Sequence, residues 1–234
     1  MRGAFLATTI AEYFRDRGKD VLLMMDSITR FCMAQREIGL SLGEPPASKG
    51  YTPSVFSTIP KLLERSGMAP NKGSITGIYT VLVEGDDMDD PIADSARSIL
   101  DGHIVLSRKI AQKNRFPAID VLQSTSRVMR SIIDSNHLEW AGKIRDWIST
   151  YAQAEDLINI GAYVRGANQK IDQSVSVIDR INDFLFQKMD ERTTMSESQG
   201  LMHSIVRHAE AFLASQAQSS QTSRTPHVAS KVIF

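Results

Sequence analysis

The sequence is poor in the residues that build disulfide frameworks and metal centres. It contains a single cysteine, Cys32, and five histidines. One cysteine excludes an intramolecular disulfide and a zinc site built from thiolates, and the histidines show no metal-ligand spacing. The sequence therefore favours a protein of a reducing compartment, without a structural zinc site.

Long apolar runs and an excess of charge are also absent. No apolar stretch approaches the roughly 20 residues that span a bilayer, and the first residues, which include Glu12, Arg15 and Asp16, do not form a signal peptide. A net charge of zero and a pI of about 7 argue against a nucleic-acid binder with a broad basic surface. We expect a soluble, cytoplasmic protein that does not bind nucleic acid.

What the sequence does contain is a short apolar run, Val21–Met25, that ends abruptly in an acid, Asp26. Such a run predicts a strand buried on both faces, as in a parallel sheet. A carboxylate at the carboxyl end of the strand lies where open α/β sheets bind ligands. In phosphate-transferring enzymes that acid holds Mg²⁺, directly or through water. The alternative is a strand that simply ends in a turn-forming Asp.

A phosphate-binding loop of the form Gly-x4-Gly-Lys-Ser/Thr occurs nowhere in the chain. The nearest approach, in residues 43–50, has its Lys and Gly in the wrong order. It also carries two prolines, which donate no backbone N–H to a phosphate. The sequence thus holds the second half of a nucleotide site without the first.

Helical and strand-like patterns alternate over the first part of the chain and then give way to helices. The patterns predict a helix from about residue 3 to Arg17 that Gly18 ends, and then the strand before Asp26. A helix from Ser27 to about Leu40 follows, with Asp26 or Ser27 as its candidate cap. Ser54 is the candidate cap of a later helix. We expect an α/β domain over residues 1–130, a helical domain over 131–216 and a disordered tail over 217–234.

Three further features have two interpretations each on sequence alone. Arg127 follows a strand, as either a surface ion-pair residue or an arginine finger. Phe116 either stacks on a base or enters the core beside the next strand. A cluster of acids is either a solvated loop or a contact for a ligand or partner; it includes Asp86, Asp87, Asp89 and Asp90.

Five segments, read in order, resemble one family. They are VLLMMDSITRFCMAQREIGLSLGEPP, GYTPSVFSTIPKLLERSG, GSITGIYTVLVEGDDMDDPIAD, ILDGHIVLSR and FPAIDVLQSTSRVM. Over about Arg2 to Phe186, the chain resembles the carboxyl-terminal half of the flagellar type III protein export ATPases. The injectisome ATPases are near relatives, and both groups are similar to the catalytic subunits of the rotary ATP synthases.

The resemblance implies a fold, cofactors and roles for particular residues. The fold is a partial RecA-like, parallel-sheet nucleotide-binding domain followed by an all-helical C-terminal domain, and the cofactors are ATP and Mg²⁺. Asp26 matches the acid that positions Mg²⁺ through water, and Arg127 matches the arginine finger that reaches a neighbouring subunit. Phe116 and Phe184 match the two sides of the adenine pocket. The loop with Asp86, Asp87, Asp89 and Asp90 matches the one that faces the ring's central channel.

The implied function is ATP hydrolysis coupled to the export of flagellar proteins by a homohexameric ring. The implied partners are a central stalk and the regulatory and export-apparatus proteins, at the cytoplasmic face of the inner membrane, with membrane association only through the export gate. The family's N-terminal barrel, phosphate-binding loop and catalytic Glu have no counterpart here. We therefore expect exposed apolar surface on the sheet, and no activity from the chain alone.

Three alternatives stay open at this point. The first is an injectisome secretion ATPase, because that group shares the same motifs. The second is a non-catalytic remnant or subunit that contributes only an arginine finger in trans. The third is a hexameric RNA translocase, which shares the RecA-like core but is disfavoured by the neutral pI.

Overall fold

The computed structural model describes residues 1–222 of the chain, and it describes side chains for residues 1–216. The chain divides into two compact units, Met1–His103 and the residues from Ile104 onward. The predicted boundary near residue 130 stays a prediction. Helix α9 continues to Thr222, which is inside the segment 217–234 that the sequence predicts to be disordered; residues 223–234 lie outside the described residues.

Helices and strands share the first part of the chain, and helices alone follow between Ser126 and Thr222, as the sequence patterns predict. The first unit contains α1 (Arg2–Arg15), β1 (Val21–Met25), α2 (Ile28–Ser41), α3 (Pro53–Leu63), β2 (Gly67–Met68), β3 (Ser74–Tyr79) and α4 (Pro91–Ile99). Strand β4 (Gly102–Leu106) pairs with β5 (Ile119–Ser126). The second unit also contains α5 (Arg108–Gln112), α6 (Met129–Ile132), α7 (Ser135–Asn159), α8 (Gln169–Leu185) and α9 (Met195–Thr222).

The sheet of the first unit places Asp26 at the end of a parallel strand pair. Strands β1 and β3 run parallel, with Met25 opposite Tyr79, and the short β2 pairs antiparallel with the start of β3. Helix α1 ends because Gly18 adopts a φ of 77°, in the left-handed region that glycine enters without steric cost. The chain then returns as β1 and packs Leu23 and Ile75 against Ala11 of α1. The α/β fold class predicted from the sequence is confirmed.

One face of this sheet is open, contrary to the prediction that β1 is buried on both faces. Leu22 is 61% exposed and Met24 69% exposed, whereas Leu23 between them is buried. Successive side chains of a strand point to opposite faces. A run of five apolar residues therefore does not reveal whether both faces are covered. The expectation of exposed apolar surface on the sheet is confirmed.

The first unit has its largest core among α2, α3 and α4. Ile28, Val55, Ile59 and Ile92 are almost fully buried there, and each such side chain contributes on the order of 1.5–3 kcal/mol through burial. Cys32 lies in the same core, where burial raises the pKa of its thiol to about 12. A thiol with that pKa is not a nucleophile at neutral pH.

Helix α3 begins two residues earlier than the predicted cap allows. Thr52 occupies the N-cap position and Pro53 is the first helical residue, so Ser54 lies inside the helix and is not its cap. Proline is favoured at that first position because its φ is already helical and its missing N–H has no partner there anyway.

In the second unit, α7, α8 and α9 pack together around an apolar core. Its buried side chains are Ile144, Trp147, Val177, Ile181, Met202, Ile205, Val206 and Ala209. Asn168 caps α8 by accepting hydrogen bonds from two backbone N–H groups of the first turn. Across residues 1–222, no helix has the length and apolar character needed to cross a membrane.

Candidate functional site

Asp26 lies directly after β1, at the carboxyl edge of the parallel pair, and Thr80 follows β3 at the same edge. The Thr80 hydroxyl donates to Asp26 Oδ1 at 2.7 Å. The Thr80 backbone N–H donates to the carbonyl of Met25 at 3.1 Å, and the Thr80 carbonyl accepts from Ile28 N–H at 2.9 Å. The end of β3 therefore holds both the side chain of Asp26 and the main chain on either side of it.

The groove beside Asp26 has a volume of about 350 Å³, and Ala4, Ser27 and Arg30 also contribute to its lining. Ser27 is buried and caps α2, with its hydroxyl accepting from the Arg30 N–H at 3.3 Å. The capping role that the sequence gives to Asp26 or Ser27 therefore falls to Ser27. The Asp26 carboxylate is thereby left at the groove, where it is exposed.

The donor set at Asp26 suits Mg²⁺ and not a metal that needs several protein ligands. Residues 1–216 contain no cluster of three or more Asp, Glu, His or Cys side chains that could hold a metal. Mg²⁺ in nucleotide sites is usually held by one or two carboxylates, keeps several waters and takes further oxygens from the phosphates. A single exposed carboxylate with a fixed orientation fits that pattern.

The acidic loop makes two structural contacts through its own acids. Asp90 caps α4, because its Oδ1 accepts from Ile92 N–H at 2.9 Å and from Ala93 N–H at 3.2 Å. The ammonium of Lys49 donates to Asp87 and lies 3.7 Å from Asp90 Oδ2. The hydrogen bond from Lys49 lowers the pKa of Asp87, and the same contact raises the pKa of Lys49.

The other two acids of the loop, Asp89 and Asp86, are described by their backbones. Asp89 donates its backbone N–H to Asp87 Oδ1 at 3.0 Å, and Asp86 has a φ of 60° within a short turn. The loop is thus fastened to the segment before α3 while still presenting acidic groups. Its predicted position at a central channel stays a prediction.

Phe116 lies on the loop before β5, beside the carboxyl end of α8. Its carbonyl accepts from Gln187 N–H at 2.9 Å, and Arg115 donates to Asn182 Oδ1 at the same distance. The Phe116 side chain is 49% exposed. Phe184 is partly buried and packs against the core of α7, α8 and α9. The structure therefore brings the two predicted adenine-binding segments together, and the role of each ring stays a prediction.

Arg127 follows the last residue of β5 and is exposed. It belongs to the second unit, as do Phe116 and Phe184, whereas Asp26 belongs to the first. The sequence reasoning missed three residues that hold these positions: Thr80 at Asp26, Lys49 at the acidic loop and Arg145 at the segment before Arg127. The only signal for Thr80 is that it is polar and directly follows β3.

A second cavity, of about 140 Å³, lies in the second unit beside the buried Asp172. The Asp172 carboxylate accepts from the Tyr163 hydroxyl at 3.0 Å and from Gly166 N–H at 2.8 Å. Burial, reinforced by Asp172, raises the pKa of Tyr163. This acid fastens the loop before α8 to the helix.

Two family descriptions match successive parts of the chain. Residues 1–126 match the ATP synthase alpha/beta family, nucleotide-binding domain. Residues 133–204 match the T3SS EscN ATPase C-terminal domain. The two matches follow the order of the α/β and helical parts.

Relatives of known sequence and structure agree with these matches. A "flagellum-specific ATP synthase" of Bacillus subtilis is 54% identical over 90% of this chain and 48% of its own length. The assembled ATPase EscN of the enteropathogenic E. coli type III secretion system has a TM-score of 0.84 and 51% identity, over 87% of this chain and 49% of that one. EscN in complex with its central stalk EscO gives 0.79 and 49%, over 87% and 48%.

The chain spans about half the length of the curated relatives that it matches. More than half of its own residues lie in the first family match. The sheet with Asp26 at its carboxyl edge lies in the first match, and the helices α7 and α8 lie in the second. On this evidence, the chain belongs to the ATP synthase alpha/beta family.

Proposed function

We propose that this chain is the part of an ATP-hydrolysing subunit that carries the magnesium-positioning acid, and that the subunit drives type III export of flagellar proteins. The observation that carries the proposal is Asp26, exposed in a groove at the carboxyl edge of a parallel strand pair and oriented by Thr80. Carboxylates at this place hold Mg²⁺ in nucleotide sites, where the metal neutralises charge on the phosphates.

The roles of the other residues follow from the same family assignment. Arg127 is the arginine finger, a permanently charged group aimed at the nucleotide of a neighbouring subunit. Phe116 and Phe184 bind adenine, a role supported by the hydrogen bond that joins their segments. Asp86 to Asp90 form the loop that faces the central channel, and Lys49 and the cap of α4 hold that loop in shape.

The proposed assembly is a homohexamer around a central stalk. It is supported by relatives, since EscN is described both as an assembled ATPase and in complex with its stalk EscO. The proposal includes regulatory and export-apparatus partners, a location at the cytoplasmic face of the inner membrane, and peripheral membrane association through the export gate.

The 234-residue chain by itself is not expected to hydrolyse ATP. It contains no Gly-x4-Gly-Lys-Ser/Thr sequence, and backbone N–H groups of such a loop, with its Lys, supply most of the contacts to the phosphates. Asp26 and Arg127 are therefore expected to act only together with such a loop.

The proposal is tested with a hybrid enzyme, in which residues 1–234 follow the amino-terminal half of the Bacillus subtilis relative. We expect Mg²⁺-dependent ATP hydrolysis from the hybrid enzyme and none from the chain alone. Asp26→Asn should abolish turnover, and Arg127→Ala should lower it by about 10³-fold or more. Comparable ATPase activity of the chain alone, or full activity of the Asp26→Asn hybrid, would contradict the proposal.

The injectisome alternative is supported by the EscN structure, which is nearly as similar in sequence as the flagellar relative. The two are separated by placing the hybrid enzyme in a Bacillus subtilis strain that lacks its flagellar ATPase. Restored motility is expected for a flagellar protein. An active hybrid that restores no motility would favour the injectisome assignment.

A further inference from the structure

The segment that leads to Arg127 is held by side chains as well as by its partner strand. Asp120 Oδ1 accepts from the backbone N–H groups of Leu122 and Gln123, each at 3.0 Å. The Ser124 hydroxyl turns back to the Asp120 carbonyl at 2.6 Å. These local bonds satisfy the amides of Leu122 and Gln123 from within strand β5.

The carbonyls of the same stretch are satisfied from α7, by Arg145. Its Nη1 donates to the carbonyl of Val121 at 2.7 Å and to that of Ser124 at 3.2 Å. Its Nη2 donates to the carbonyl of Leu122 at 3.1 Å. One guanidinium therefore binds three main-chain acceptors within four residues, which suits a planar fork of several donors.

The backbone of α7 at Arg145 is held in place, although the Arg145 side chain is exposed. Ile144 precedes it in α7, and Trp147 follows two positions later; both are buried in the core that α7 shares with α8 and α9. The backbone of α7 at Arg145 thus cannot shift without disturbing that core. The guanidinium of Arg145 therefore links the position of α7 to that of residues 121–124. The last of these residues lies three positions before Arg127.

We propose that Arg145 is a positioning residue for Arg127, and that it couples the helical bundle to the arginine finger. We call the hydrogen bonds from Arg145 to the carbonyls of residues 121–124 the clamp. The inference rests on the proposed function for the role of Arg127, but the clamp itself does not depend on that function. An arginine finger acts by placing its charge at hydrogen-bond distance from the developing charge, and a misplacement of about 1 Å can cost about 10²-fold in rate. A movement of α7 together with α8 and α9 would therefore shift Arg127 and change the rate of ATP hydrolysis.

The clamp is tested first by hydrogen exchange on the 234-residue chain. Arg145→Gln should speed exchange of the amides in residues 119–127 by about tenfold or more, and leave the amides of α8 unchanged. The matched control is Arg180→Gln, which removes an exposed arginine of α8 whose side chain makes no hydrogen bond among residues 1–216. Unchanged exchange in 119–127, or an equal change in the control, would overturn the clamp.

The effect on catalysis is tested in the hybrid enzyme by comparing kcat with KM. Arg145→Gln should lower kcat by about 10- to 100-fold with the KM for ATP little changed. Arg145→Lys, which can reach fewer of the carbonyls, should fall between. In an Arg127→Ala background the same change should have almost no further effect, because both act through one group.

Each outcome has a definite meaning. An equal loss with and without Arg127, or a loss that tracks the melting temperature, would overturn the positioning role in favour of a purely structural one. An inactive hybrid that retains Arg145 would count against the proposed function. In that case hydrogen exchange alone decides whether Arg145 holds the segment.

Discussion

Replacing Thr80 with valine removes the hydroxyl that orients Asp26 and keeps the shape of the side chain. The bond that is lost is a 2.7 Å hydrogen bond to a carboxylate. Such a bond contributes about 1.5–3 kcal/mol when buried. Thr80 and Asp26 are both exposed, so we take about 1 kcal/mol, which corresponds to about a fivefold change in an equilibrium constant.

The expected result is a fivefold rise in the Mg²⁺ concentration that gives half-maximal ATPase activity of the hybrid enzyme. Partners that orient a metal-binding carboxylate act mainly on metal affinity. Thr80→Ser keeps the hydroxyl and should behave as the parent. Thr76→Val is the matched control, since Thr76 is an exposed threonine on the same face of β3. A Thr80→Val hybrid with an unchanged Mg²⁺ requirement would refute the reasoning, as would an equal rise in the control.

Two further predictions concern the stability of each unit. Ile181→Ala should lower the free energy of unfolding of the helical bundle by about 2–5 kcal/mol, because Ile181 is fully buried; Ile160→Ala, at a 75% exposed position, should cost less than about 0.5 kcal/mol. Urea unfolding followed by tryptophan fluorescence measures both, since both tryptophans lie in α7. In the first unit, the hydrogen bond from Arg65 lowers the pKa of Glu12 below its ordinary value. The contribution of this bond to stability is therefore fully present above the ordinary pKa and is lost as the pH falls through the lowered pKa. Glu12→Gln should reduce the fall of the melting temperature at low pH. An unchanged dependence of the melting temperature on pH would contradict the role given to Glu12.

Local signals predicted the frame of the candidate site correctly. The bounds of β1 and the turn at Gly18 that ends α1 each depend on a few adjacent residues, namely an apolar run and a glycine. The cap of α2 was predicted as Asp26 or Ser27, and it is Ser27. Asp26 followed from its place at the end of such a run. The sequence was sufficient at these positions, whereas the cap of α3 was assigned to Ser54 and is Thr52.

The sequence did not predict contacts between residues that lie far apart in the chain. Thr80 meets Asp26 across 54 positions, and Arg145 meets Val121 across 24. Neither spacing has a periodicity that a helix or strand pattern would reveal. The exposure of Leu22 was missed for a related reason, since whether a sheet face is covered depends on other elements and not on the strand itself.

The central claim is that Asp26 and Arg127 serve nucleotide sites shared between neighbouring subunits. The most direct test mixes two inactive hybrid enzymes, one with Asp26→Asn and the other with Arg127→Ala, under conditions that let subunits exchange. In a randomly mixed ring, about a quarter of the interfaces would combine an intact Asp26 with an intact Arg127 from the next subunit. The account predicts that ATPase activity returns to a substantial fraction of the parent's. Activity no higher than the sum of the two separate variants would contradict it.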